Sequence, residues 1–170
     1  MTVLQTALKK PESIFAMSDD LNNLYRDILM EHYKFPRGRK KLEHADIHNE
    51  GQNPSCGDEL EMELQLDGDK IKDIYVSCVG CAVSVASGSM LADTIKGKTL
   101  AEAKKIAAVV RGMLKGEDIP DNIDLGDLES LRGVKKFPVR IKCALLSWTT
   151  LIDALAAREQ GAEIRTSTTE

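Results

Sequence analysis

A chain of 170 residues with 42% apolar content is long enough to bury the core of one domain. Its 23 Lys and Arg stand against 27 Asp and Glu, a formal net charge of −4, and only 4% of its residues are aromatic; this argues against a nucleic-acid partner, which calls for a basic field and stacking platforms. No uninterrupted apolar run approaches the ~20 residues needed to span a bilayer, and Lys9, Lys10, Pro11 and Glu12 interrupt the start where a secretory signal would be continuously apolar, so a soluble protein of the cytoplasm is expected.

Residues 1–17 show no sustained period and are read as an N-terminal extension, loose or forming one short helix. Ser18, Asp19 and Asp20 suit an N-cap and first turn, and Leu21, Leu24, Tyr25, Ile28 and Leu29 follow at helical spacing until about Tyr33, with Pro36 and Gly38 beyond. Residues 44–58 are rich in Asn, Gly and Pro, giving a short strand near Asp46–Asn49 and a loop through Asn53-Pro54-Ser55-Cys56-Gly57-Asp58. Leu60, Met62, Leu64 and Leu66 then alternate with Glu61, Glu63 and Gln65, and Asp67-Gly68 turns the chain into a further strand, Ile71 to Cys78.

The second half is helical. Ala82–Lys96 stops at Gly97 and Thr99–Leu114 stops at Gly116. The acidic, punctuated stretch that follows holds a short helix at about 125–131. Pro138 opens a last helix whose Ile141, Leu145, Trp148, Ile152 and Leu155 mark a core stripe, and residues 161–170 are read as a flexible tail. Strands first and helices later predict an α+β domain over 18–160: a small antiparallel three-stranded sheet covered by helices.

Cys56, Cys78, Cys81 and Cys143 lie in a chain expected in a reducing compartment, where thiols serve as metal ligands or reactive groups more often than as disulfides. In an extended Cys56-Gly57-Asp58 the thiol and carboxylate project to one side and can converge on one ion; the alternative is a turn with an incidental cysteine. Cys81 precedes a helix, where free N–H groups favour a thiolate. Cys143 lies off the large-residue stripe, in line with Ser147, Thr150 and Ala154, and Arg140 and Lys142 beside it favour an anionic site. Cys78-Val79-Gly80-Cys81 has the gap of a zinc knuckle or a redox pair, but it ends a hairpin rather than opening a parallel βαβ unit, and a second such pair is missing. His32, His44 and His48 have no metal-site spacing and are not expected to be ligands.

Several separated motifs now become recognisable in order: Leu24-Tyr25-Arg26-Asp27-Ile28-Leu29-Met30-Glu31-His32-Tyr33-Lys34; Asn53-Pro54-Ser55-Cys56-Gly57-Asp58; Gly80-Cys81-Ala82-Val83-Ser84 with Ala86-Ser87; and Arg140-Ile141-Lys142-Cys143-Ala144 with Trp148. Over about residues 20–157 the chain resembles the U-type proteins of iron–sulfur cluster assembly. IscU-like scaffolds of this group carry a histidine immediately before the last cysteine, where this chain has Lys142, and lack most of the acidic segment before Gly133; both differences resemble the SufU family. That resemblance implies a Zn2+ site of Cys56, Asp58, Cys81 and Cys143 with Arg140 as a functional neighbour. It implies a sulfurtransferase that takes persulfide sulfur from a SufS-type, pyridoxal-phosphate cysteine desulfurase, stimulates it, and passes sulfur to downstream assembly proteins. Cys78 departs from the pattern, standing where the family usually has glycine, which leaves a substitute ligand or second thiol open. Cys56, on a Gly-containing loop, is the expected sulfur acceptor, with Cys143 its competitor. The rival readings are an IscU-like scaffold assembling a [2Fe–2S] cluster on the same residues and a dithiol redox protein using Cys78 and Cys81.

Overall fold

Polar–apolar alternation in the first half of the chain becomes a meander of three strands in the computed structural model, which describes residues 10–161 and 166–169. Strand β1 (Ile47–Asn53) pairs antiparallel with β2 (Asp58–Asp67), and β2 with β3 (Lys70–Val79). Along β1, Ile47, Asn49, Gly51 and Asn53 face inward; on β2, Asp58, Leu60, Met62 and Leu64 do so. The register shifts between Gln65 and Leu66, so that Gln65 opposes Asp73 while Leu66 opposes Ile71. A bulge of this kind moves the inward parity by one residue, which is why Ile71 is buried together with Ile74, Val76 and Cys78.

One strand exceeds the expected three. Ser167–Thr168, within the segment read as a tail, form β4, which pairs in parallel with Gly51–Gln52 and gives the order β3-β2-β1-β4. The buried Ser167 donates to Asp153 Oδ2 at 2.7 Å and accepts from Asn49 Nδ2 at 3.1 Å. Two residues seated on an edge carry no periodicity that a sequence could show.

The helices pack on one face of the sheet. α1 spans Lys10–Lys34, starting eight residues before the expected N-cap at Ser18, with Pro11 in its first turn where a missing N–H costs nothing; residues 1–9 lie outside the described residues. α2 (Ala82–Ile95) and α3 (Leu100–Leu114) match expectation, and Thr99 caps α3 in a reciprocal pair with Glu102. The expected helix at 125–131 is a 3₁₀ segment, Gly126–Lys136, and α4 spans Pro138–Gln160.

α4 corrects part of its expected core face. Trp148 and Leu155 of the expected stripe are buried, but Ile141, Leu145 and Ile152 are half-buried, and the small residues Cys143, Ala144, Ser147, Thr150 and Ala154 are buried as well, with Leu151. The helix is wedged between the sheet and α2 and α3, and small residues let it approach β1: a Cβ at Gly51 would collide with Thr150 Oγ1. Asn49 Nδ2 donates to Thr150 O at 2.9 Å, Ser87 Oγ to Ala144 O at 2.7 Å, and Trp148 Nε1 to Ser87 Oγ at 3.0 Å, which fixes the helix against its neighbours. Cys143 therefore sits on the face that meets the sheet. Among the described residues no helix is long and apolar enough to cross a membrane.

Candidate metal centre

The β1–β2 turn supplies the first two groups. Asn53 and Asp58 oppose each other at its base, and the backbone N–H groups of Cys56 and Gly57 both donate to Asn53 O, at 3.3 and 2.9 Å. Gly57 has φ +72°, a left-handed conformation that glycine adopts without strain. Cys56 thus rides half-buried on a tight turn, and Asp58, the first residue of β2, points inward and is 1% exposed.

Two helices bring the remaining thiols. Cys81 is the N-cap of α2; its backbone N–H donates to Asp58 Oδ1 at 2.8 Å, and its sulfur lies 3.9 Å from Asp58 Oδ2 and 3.4 Å from Ser84 Oγ. Gly80 makes this approach possible, since a Cβ there would collide with the Asp58 carboxylate. Cys143, fully buried in α4, lies 3.3 Å from the Cys56 sulfur and accepts from Asn53 Nδ2 at 3.4 Å. Asn53 Nδ2 also donates to Asp58 Oδ2 at 3.2 Å. The ligand atoms of Cys56, Asp58 and Cys143 all lie within 4.8 Å of one another, a group able to hold a metal ion, with Cys81 at its edge through Asp58.

The electrostatics differ from thiol to thiol. Burial alone would raise the Asp58 pKa, but hydrogen bonds from the Cys81 N–H, the Cys143 thiol, Asn53 and Ser84 outweigh it and hold the carboxyl below its usual range. Burial also opposes the Cys81 thiolate, yet the Ser84 hydroxyl and backbone N–H, with the Cys143 thiol, bring its pKa down. Cys143 is the opposite case: burial, and its role as proton donor to Cys56, Asp58 and Cys81, push it well above the ordinary thiol range. The exposed Arg140 guanidinium faces Cys143 and Cys81, and these sulfurs favour its charged form. Beside Cys56 an open cleft is walled by Lys136, Phe137, Pro138, Val139 and Arg140.

Cys78 stands apart from this group. It faces the core from β3 opposite Leu60, and burial pushes its thiol up to about 11. The histidines are engaged elsewhere: the buried His32 with Ser89 and Asp127, His44 with Asp46, and His48 with Glu61. His48, Glu61 and Glu63 form a second close group, but the Lys41 ammonium sits between its carboxylates, 3.2 Å from Glu61 and 3.7 Å from Glu63. Two residues around the centre carry no local pattern that marks them as site residues, Asn53 and Ser84. Asn53 shares the inward parity of Asn49 and Gly51 on β1, a signal legible only once the strand is known to extend to the turn.

Helices stacked on one face of a small sheet, with three thiols and a carboxylate gathered where the β1–β2 turn meets two helices, define the class of U-type iron–sulfur assembly domains. The chain belongs to the NifU-like N terminal domain family, which matches residues 24–144. It is 43% identical over 142 residues to the zinc-dependent sulfurtransferase SufU of Bacillus subtilis, covering 84% of this chain and 96% of that protein. It is 38% identical to the iron–sulfur cluster assembly scaffold protein IscU of Streptococcus pyogenes, covering 79% of this chain and 84% of the relative. A crystal structure of a candidate scaffold protein for the SUF system from Fervidobacterium islandicum AW-1 superposes with a TM-score of 0.71 at 38% identity, covering 75% of this chain and 93% of that one. The N-terminal part of a NifU-like protein from Brucella abortus, at 20% identity, shares the fold with a TM-score of 0.71 over 79% of this chain and 94% of that one.

Proposed function

We propose that this chain is a zinc-dependent sulfur acceptor of iron–sulfur cluster assembly, which takes persulfide sulfur from a SufS-type, pyridoxal-phosphate cysteine desulfurase and stimulates that enzyme. The observation that carries this reading is the meeting of Cys56, Asp58 and Cys143, with Cys81 3.9 Å from the Asp58 carboxylate, in a chain similar to a protein named for zinc-dependent sulfur transfer. Three sulfurs and one carboxylate suit zinc, which binds four ligands tetrahedrally at ~2.3 Å from sulfur, so that two sulfurs stand ~3.8 Å apart. The Cys56 and Cys143 sulfurs, 3.3 Å apart, are close to that spacing without rearrangement of the backbone. Bound there, zinc keeps its thiol ligands deprotonated at neutral pH. Four protein ligands leave no open position for water, which argues against hydrolysis.

In this reading Cys56 receives the sulfur, because its turn can move at low cost, whereas Cys81 heads a helix and Cys143 is buried in one. Its thiolate attacks the outer sulfur of the donor persulfide. The donor's S–S bond breaks as the new one forms, and the donor cysteine leaves as a thiolate, so no outside oxidant or reductant enters. Arg140 beside the sulfurs favours this anionic traffic. Exposed Phe137 and Val139 on one side and Val79 on another give the thiols an apolar rim on which a partner surface can close. The sulfur then passes to downstream assembly proteins, and a cytoplasmic setting keeps such thiols reduced.

The test is mass spectrometry of alkylated peptides after brief turnover with desulfurase and cysteine. An added sulfur on the Cys56 peptide is expected; added sulfur only on the Cys143 peptide reassigns the acceptor, and none on either, in zinc-loaded protein, rejects sulfur acceptance. The Streptococcus pyogenes relative, named as a scaffold, favours a second reading in which the same residues assemble a [2Fe–2S] cluster. A stable iron-dependent absorbance after anaerobic reconstitution with iron and sulfide would favour that reading.

A further inference from the structure

We infer that Asn53 is the positioning residue of the metal centre, its amide NH2 holding the Asp58 carboxylate and the Cys143 sulfur in fixed relation. The inference rests on the reading of Cys56, Asp58, Cys81 and Cys143 as ligands. Asn53 is fully buried, and Nδ2 lies 3.2 Å from Asp58 Oδ2 and 3.4 Å from Cys143 Sγ. A side-chain amide has two N–H bonds, so each is spent on a different candidate ligand, one from β2 and one from α4.

The other end of the same amide is informative. Asn53 Oδ1 is buried without a hydrogen-bond partner. Burying half of an amide unpaired is unfavourable, and an apolar residue would fill a purely packing position better. Asn49, four residues earlier on the same inward face of β1, is the internal contrast. Its Nδ2 donates to Thr150 O and Ser167 Oγ and its Oδ1 accepts from Glu50 N, so it is satisfied at both ends and joins structural elements only. Asn53 spends its donors on the two groups that would face the ion.

The consequence concerns which ligand departs. Asn53 restrains Asp58 and Cys143, and Ser84 with the start of α2 restrains Cys81. Cys56, on the turn that Asn53 closes, is then the thiolate released at least cost.

The experiment compares full-length Asn53→Ala, Asn53→Asp, Asn49→Ala and Asp58→Ala by zinc affinity in chelator competition, the visible spectrum of the cobalt-substituted protein, and thermal midpoint. Asn53→Asp keeps the side-chain shape and removes the donors, so it serves if the alanine variant folds poorly. We expect the Asn53 variants to lose zinc affinity by about 10- to 100-fold, as outer-shell changes do, and to shift the cobalt ligand-field bands. Asn49→Ala is expected to lower the thermal midpoint and leave affinity and spectrum unchanged. Wild-type affinity and spectrum in both Asn53 variants, with Asp58→Ala losing them, overturns the role of Asn53 alone. Wild-type behaviour in Asp58→Ala as well overturns the ligand reading and this inference with it.

Discussion

Gly80 has no side chain where the Asp58 carboxylate needs the space: a Cβ built at Gly80 would stand 2.8 Å from Asp58 Cγ and 2.9 Å from its Cβ. The carboxylate can therefore lie against the backbone leading into α2 and accept the Cys81 N–H. Gly80→Ala pushes against a group walled in by β2, with overpacking expected to cost about 1–3 kcal/mol. Zinc content and thermal midpoint should fall together, which metal analysis and calorimetry on one preparation would check; full zinc with a lowered midpoint would mean that the carboxylate is not a ligand.

Asp58→Ala and Cys81→Ala should each lower zinc content and thermal stability in parallel, because the free energy of metal binding is partly folding free energy. Adding a chelator to the unaltered protein should bring its midpoint down towards those of the variants. If both variants retain a full zinc complement, the proposed ligand set is wrong.

Cys78 is expected to be dispensable for zinc. Its thiol, pushed up to about 11, faces the core, and at pH 8 such a group is thiolate in roughly one molecule per thousand. Cys78→Ala should keep one zinc per chain and lose about 1 kcal/mol of stability from the small cavity. In zinc-free protein, iodoacetamide should label Cys81 well before Cys78. Loss of zinc in Cys78→Ala would point instead to a site of four thiols.

Arg140 faces the sulfurs of Cys143 and Cys81 from the solvent side. Arg140→Ala should leave zinc bound while slowing desulfurase-dependent sulfur uptake by roughly tenfold or more, the scale of a lost steering charge at a reaction mouth. Raised salt should mimic the variant in the wild type and change the variant little.

Ser167→Ala removes a buried hydroxyl that serves Asp153 and Asn49 together. A loss of about 1–2 kcal/mol is expected from the unpaired partners, with zinc affinity unchanged because neither touches the cysteine group. Urea unfolding with an unaltered m-value would check the first half of this, and metal analysis the second.

Much of this architecture was legible because residue parity survives folding, although not always for the reason parity suggests. An extended segment would bring Cys56 and Asp58 to one side, yet Cys56 sits in a turn with Gly57 left-handed and only Asp58 is in a strand. The two meet because the hairpin closes. Cys143 lies off the stripe of large residues, which points to a site over core filling, whereas α4 also buries its small-residue face against β1, with Gly51 against Thr150 marking how close it comes. Side-chain size misleads where a helix is enclosed on more than one side. The bulge at Gln65 and Leu66, the pairing of Ser167–Thr168 with Gly51–Gln52, and the contact of Asn53 with Cys143 all depend on partners distant in sequence, which no local pattern encodes.

The contact between Cys56 and Cys143 joins residues 87 positions apart. Contacts of that range form late, since a long loop must close before anything rewards it. A metal ion held by both thiols would find its site only once the last helix has docked on the sheet. Occupancy of such a centre would then serve as a timestamp of completed folding, and in pulse-chase refolding zinc uptake should trail the burial of Trp148 rather than precede it.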